Sequence, residues 1–177
     1  MKKSKGQIFA TDFLIAMVII ILGFGLIAAA SEYTLYQNKE QTNYKILQEK
    51  AETTAITLAN SDWADCGYGV ASAKTEAAYS INLSNVNNLT PPDKKNLAIS
   101  GYPAKITLTK AVSGVVTTML DDGLANSKNI AITEINVMWC TNAVTYAELK
   151  ACMQNPIGNN CSTANIGKGT LKVMVGE

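Results

Sequence analysis

Cysteine is the residue type with the most distinctive chemistry in this sequence, and it occurs four times, at Cys66, Cys140, Cys152 and Cys161. No two cysteines form a C-x-x-C pair and the chain contains no histidine, so the spacing and the ligands typical of zinc or redox centres are missing. An even number of such cysteines favours two disulfide bonds and an oxidising compartment. Three connectivities are possible. We favour Cys66–Cys140 together with Cys152–Cys161, the second spanning the turn at Pro156.

The other reactive side chains do not form a catalytic pattern. Without histidine there is no Ser-His-Asp or Cys-His arrangement and no ordinary general base near neutral pH. The run Gly167-Lys168-Gly169-Thr170 is not a phosphate-binding loop, because no glycine stands five positions before Gly167. We therefore predict that the chain is not an enzyme and binds no cofactor.

Two further groups have alternative interpretations. Asp121 and Asp122 could contact a calcium ion, but the glycine that follows them, Gly123, favours a turn. Trp63 and Trp139 could hold a sugar ring, but packing in a hydrophobic core is the better interpretation. We accordingly predict no metal site.

Three tripeptides match the pattern for N-linked glycosylation, and they begin at Asn82, Asn88 and Asn160. Asn88 lies in an asparagine-rich loop, where a glycan could be accommodated. Asn82 falls in a predicted strand, and Asn160 precedes Cys161, so disulfide formation could compete with its modification. These sites suggest an exported glycoprotein.

All these groups follow an apolar N-terminal segment. Residues Phe13 to Ala30 carry no charge and would form a helix about 27 Å long, close to the ~30 Å hydrocarbon core of a bilayer. Lys2, Lys3 and Lys5 precede it and would hold that end on the cytoplasmic side. The rest of the chain is then expected to face outward.

Three fates of this segment are possible. It could be a signal peptide cleaved at the small residues ending in Ala30, an uncleaved membrane anchor, or a helix that is shortened at its basic end and packed against copies of itself. The acidic residue Asp12 between the lysines and the apolar run is unusual for a plain signal peptide.

The residues Lys5-Gly6-Gln7, followed by a short mixed stretch and a long apolar helix, resemble the class III signal of archaeal type IV pilin-like proteins. The resemblance covers about the first 30 residues. It implies that a prepilin peptidase cuts between Gly6 and Gln7, and that the apolar helix stays on the mature chain. It also implies that the subunit is held in the cytoplasmic membrane and then joins copies of itself or other pilins in a surface filament, with adhesion as a further role.

The acidic position departs from the family pattern. Phe9 and Thr11 stand where that pattern has serine and glutamate, and the acid is displaced to Asp12. An acid at the edge of an apolar helix usually marks a partner, and cleavage after Gly6 would free the α-amine of Gln7, which could pair with the Asp12 carboxylate of a neighbouring subunit in a low-dielectric bundle. Alternatively, Asp12 caps a helix that begins at Phe13, or is an interfacial carboxylate.

The helical pattern continues beyond Ala30 without proline as far as residue 59, and it becomes amphipathic. From residue 60 the pattern changes to the alternation typical of strands, around residues 79–83, 102–108, 115–120, 130–139 and 171–175, with a β-bulge near 133–134. Pro91-Pro92 is interpreted as a loop. A capping box at Thr145 and Glu148 predicts a short helix through Gln154.

We therefore expect an α+β fold, in which a long helix packs on an antiparallel sheet with one buried face. The expected divisions are a leader at 1–6, a helix at 7–59 with its membrane or assembly segment at 13–30, and an extracellular β-rich head at 60–177. Without the leader lysines, 12 basic side chains remain against 14 acidic ones, so nucleic acid is not an expected partner. A membrane-tethered binding domain and a protein secreted after cleavage at Ala30 remain the alternatives to a filament subunit.

Overall fold

The structure, a computed structural model, describes residues 5–66, 79–87, 89–142, 144–154 and 165–177. The chain forms two compact units, Met1–Asn43 and Tyr44–Glu177. A single helix, α1 (Lys5–Ala59), runs through the first unit and into the second, as the absence of proline predicted. Lys2 and Lys3 of the expected leader lie outside the described residues.

The second unit contains a five-stranded sheet in the order β1-β4-β5-β2-β3. The strands are β1 (Ser80–Asn82), β2 (Ala104–Lys110), β3 (Val116–Asp121), β4 (Ile130–Cys140) and β5 (Ile166–Gly176), and the α-helices after α1 are α2 (Leu83–Val86), α3 (Pro91–Asn96) and α4 (Tyr146–Gln154). Each of the five strands coincides with a stretch of alternating residues that the sequence marked, and β5 begins earlier than expected.

The sheet is mixed, so the prediction of a purely antiparallel sheet is wrong. β1 runs parallel to β4, with Ser80 opposite Met138 and Asn82 opposite Cys140, while the other pairs are antiparallel. Alternation of apolar residues reports which side of a strand is buried and does not report its direction. β1 joins the edge of the sheet beside a strand that comes much later in the chain, and no short hairpin fixes its orientation.

The predicted β-bulge near residues 133–134 is also wrong. β4 pairs with β5 without interruption, from Ile130 opposite Gly176 to Cys140 opposite Ile166. The sequence suggested a bulge because the positions of the apolar residues shift by one along β4. The shift arises because Ile130 and Ile132 lie on the exposed side of the sheet, where they are 39% and 50% exposed. The register shift of this sheet occurs between β2 and β3, at Ile106 and Thr107.

The proline pair Pro91-Pro92 begins a helix, α3, where the sequence predicted a loop. Thr90 and Asp93 form a capping box, in which the Thr90 backbone N–H donates to the Asp93 carboxylate at 2.8 Å. Proline is well suited to the first helical positions, because its missing N–H would have no partner there. The capping box predicted for α4 is confirmed: the Thr145 backbone N–H donates to Glu148 at 2.8 Å.

The sheet has an inner face and an outer face. On the inner face, apolar side chains of α1 share one core with those of β2 and β5. The helix contributes Leu47, Ala51, Ala55 and Leu58, and the strands contribute Ile106, Leu108, Leu171 and Val173. On the outer face, a smaller cluster forms at one end of β4 and β5, and it consists of Cys66, Met138, Cys140, Val144, Cys152 and Ile166. The fold is α+β, with helical residues on the inner face and α4 contributing to the outer cluster.

Candidate functional site

The exposed apolar surface of α1 is the first candidate site. Twelve large apolar side chains between Phe13 and Ile27 are 47–73% exposed. Among the side chains described from Thr11 to Ile46, none is buried. Within the described residues, α1 is the one helix long and apolar enough, by length and composition, to cross a membrane. Such a surface is not stable in water and requires lipid or another apolar surface around it.

The residues expected at the basic end lie inside this helix. Gly6 and Gln7 belong to the first turn of α1, which begins at Lys5, and their side chains are outside the described set. Asp12 is exposed and lies two turns into the helix. The alternative that Asp12 caps a helix beginning at Phe13 is therefore wrong, since no helix begins there. Its pairing with a neighbouring Gln7 stays a prediction.

The predicted Cys66–Cys140 disulfide is confirmed. The two Cα atoms are 5.9 Å apart, and both residues are completely buried. The bond joins the segment that follows α1 to the last residue of β4. Cys152 is also disulfide-bonded and buried, but its expected partner, Cys161, lies outside the described residues, so that pairing stays a prediction.

The acidic pair at the end of β3 forms a turn, as expected. Gly123 has a φ of 75°, and its N–H donates to Asp121 at 3.2 Å. Asp121 accepts from Lys105 at 2.6 Å and Asp122 pairs with Lys94. The Lys105 ammonium, followed by the Gly123 N–H, lowers the pKa of Asp121. Both carboxylates are thus neutralised by lysine, and the described residues contain no cluster of acidic or cysteine side chains suited to a metal ion.

Trp139 packs in the core, and Trp63 lies partly buried against the same core. Trp139 faces Gly167 of β5 directly, and a Cβ at Gly167 would lie 2.8 Å from its ring. The ring also passes 3.2 Å from a Cβ placed at Gly169. Its Nε1–H donates to the Lys168 carbonyl at 3.1 Å. The glycines of the Gly-Lys-Gly run therefore make room for an aromatic ring, a role that sequence reasoning missed.

Asn82 is an unsuitable glycosylation acceptor in this fold. It is 3% exposed, and its side-chain oxygen accepts the Ser84 N–H at 3.0 Å to cap α2. The Ser84 hydroxyl donates to the Thr141 carbonyl. Both ends of the acceptor tripeptide are thus engaged by the fold itself. Asn88 and Asn160 lie outside the described residues.

Comparison with known proteins adds no assignment: no protein-family model, curated protein or solved structure matches this chain.

Proposed function

We propose that this chain is a structural subunit of an archaeal type IV pilus-like surface filament, which assembles through its N-terminal helix. The observation that carries the proposal is the uninterrupted exposed apolar surface of α1 between Phe13 and Ile27. This surface belongs to a helix that continues as far as Ala59 and contributes to the inner core of the second compact unit, Tyr44–Glu177, hereafter the sheet unit. The resemblance of Lys5-Gly6-Gln7 to a class III signal supports the same function.

Assembly requires that the apolar surface be buried again when the subunit leaves the bilayer. Fully burying one large apolar side chain contributes about 1.5–3 kcal/mol, so twelve half-exposed side chains represent on the order of 10–20 kcal/mol. A solitary subunit outside the membrane would lose this contribution. Packing of each helix against neighbouring helices restores it, and a carboxylate at Asp12 paired with a neighbour's α-amine would set the register of that packing.

The continuity of α1 favours this function over a secreted protein. Cleavage after Ala30 would cut the middle of a helix and leave Tyr33, Leu35 and Tyr36, each 63–68% exposed, on a free helical end. A membrane-tethered binding domain remains the second candidate, because it would keep the same helix in lipid. The two differ in the first residue of the mature chain and in whether copies associate.

The test is to sequence the N-terminus of the exported chain and to examine cell surfaces by electron microscopy. We expect Gln7 as the first residue and filaments that contain this chain. Asp12→Ala should weaken each subunit contact by about tenfold, which is about 1.4 kcal/mol, and should therefore reduce the number of filaments. Glu32→Ala, which removes a second exposed carboxylate of α1, is the matched control and should leave filaments intact. A mature chain that begins at Ser31, or that retains Met1 and remains solitary in the membrane, would refute the proposal.

A further inference from the structure

A groove of about 510 Å³ crosses the outer face of the sheet. Its lining includes Asn136 and Met138 of β4 and Lys168 and Thr170 of β5. Tyr79, the residue before β1, also lines it. Ligand-binding clefts in proteins usually have volumes of about 300–1,000 Å³, with apolar walls and a few polar groups. The groove meets this description, and it belongs entirely to the sheet unit.

Lys168 differs from the two other lysines on this face of the sheet. Lys172 pairs with Glu134 across the strands at 2.9 Å, and Lys105 pairs with Asp121 at 2.6 Å. Lys168 lies opposite Met138 and makes no ion pair with any carboxylate of the described residues. Among the described residues, the groove therefore contains one ammonium group whose charge no carboxylate balances, which suits an anionic ligand.

The main chain between β4 and β5 is fully paired beneath the groove. Asn136 pairs with Thr170 and Met138 pairs with Lys168 in an unbroken ladder between β4 and β5. An extended peptide binds to a sheet by pairing with a free strand edge. No edge lies between β4 and β5, and on the other side of β4 the strand β1 covers only Met138 to Cys140. A ligand that lies across β4 and β5 is recognised by side chains: the Asn136 amide and the Thr170 hydroxyl, which are 3.5 Å apart and so only weakly engaged with each other.

Tyr79 provides an aromatic wall in an unusual backbone conformation. Its φ is 71°, in the left-handed region that a bulky residue rarely adopts, and its carbonyl accepts the Met138 N–H at 2.9 Å. Its side chain remains 39% exposed. Such conformations cluster at ligand sites, where the surrounding structure maintains them. An exposed ring beside the apolar Met138 offers a stacking surface for the apolar face of a sugar ring.

We propose that this groove binds an acidic saccharide of the uronic-acid class. Tyr79 and Met138 contact the ring, Asn136 and Thr170 hydrogen-bond its hydroxyl groups, and Lys168 pairs with its carboxylate. The proposal concerns the sheet unit alone and does not depend on filament assembly, so it can fail or succeed separately from the proposed function.

The test is calorimetric titration of the detergent-solubilised full chain with tetragalacturonic acid. The fully methyl-esterified form of the same oligosaccharide removes the charge and keeps the rings. An acetylated tripeptide with a free C-terminal carboxylate tests the alternative of peptide binding. Lys168→Met removes the proposed anchor, and Lys172→Met, which removes a balanced lysine four residues along the same strand, is the matched control. Near-ultraviolet circular dichroism verifies that each variant is folded.

We expect one-to-one binding of the acid. Esterification and Lys168→Met should each weaken binding by roughly five- to tenfold, as loss of one charge-assisted hydrogen bond predicts. Lys172→Met should change it by less than about twofold, as expected for an exposed pair. Tyr79→Leu should weaken binding of the acid and of the ester by similar factors. Absence of binding, equal effects of the two lysine variants, or tighter binding of the tripeptide would each overturn the proposal.

Discussion

The packing of Trp139 on Gly167 makes a quantitative prediction about the sheet. A Cβ at Gly167 would lie 2.8 Å from Cζ2 and 2.9 Å from Cε2 and Nε1 of the Trp139 ring. The ring has little freedom to move away, because it is 8% exposed and its Nε1–H donates to the Lys168 carbonyl. Gly167→Ala should therefore strain the inner core.

The magnitude follows from the cost of overpacking. Inserting one methyl group into a well-packed core costs about 1–3 kcal/mol, and for a chain of this size each kcal/mol lowers the melting temperature by about 2–4 °C. Gly167→Ala should lower it by about 2–12 °C. In a chain with Trp139→Leu the obstructing ring is absent, and the same substitution should then be neutral or stabilising by about 0.5–1 kcal/mol, because alanine restricts the unfolded strand more than glycine does.

The assay is thermal unfolding of the four chains of this double-mutant cycle, followed by circular dichroism in one detergent. Gly169→Ala is an internal control, because its Cβ would lie 2.8 Å from the backbone carbonyl of Thr109 and should remain destabilising in both backgrounds. A coupling between positions 139 and 167 below about 0.5 kcal/mol would show that the two sites are independent. An increase in melting temperature for Gly167→Ala alone would refute the packing argument.

Two further predictions concern the cross-links and caps of the sheet unit. Replacing Cys66 and Cys140 with alanine opens a loop of 74 residues and should lower the free energy of unfolding by about 4 kcal/mol, measured by denaturant titration; a loss below about 1 kcal/mol would contradict it. The pKa of Glu148 is lowered from 4.5 by the Thr145 N–H and then by its hydroxyl. Because the folded value is depressed, the stabilisation is present above pH 4.5 and is lost as the pH falls through the folded value, so the melting-temperature deficit of Glu148→Gln should vanish in acid; a deficit independent of pH would contradict this.

Sequence reasoning located the elements of this fold better than their arrangement. The absence of proline before residue 60 predicted α1, and alternation located the strands, because both signals are local. The direction of β1 is not a local property, since the same three buried residues satisfy either orientation beside β4. The proline pair at residues 91–92 was ambiguous for a different reason: proline ends helices and also begins them, and the capping box formed by Thr90 and Asp93 decides between the two.

The groove shows why a candidate binding site on a sheet cannot be predicted from local sequence patterns, even when its residues are easily identified one by one. In the sequence, Lys168 belongs to a glycine-rich run that does not match the pattern of a phosphate-binding loop. Its glycine neighbours accommodate Trp139 on the inner face, and that packing leaves Lys168 on the opposite face beside Met138. Only the register between β4 and β5 shows that Glu134 lies opposite Lys172 and balances it, whereas the residue opposite Lys168 is the uncharged Met138. The unbalanced charge is thus a property of strand pairing, and shifting that register by four residues would place Glu134 opposite Lys168 in place of Lys172.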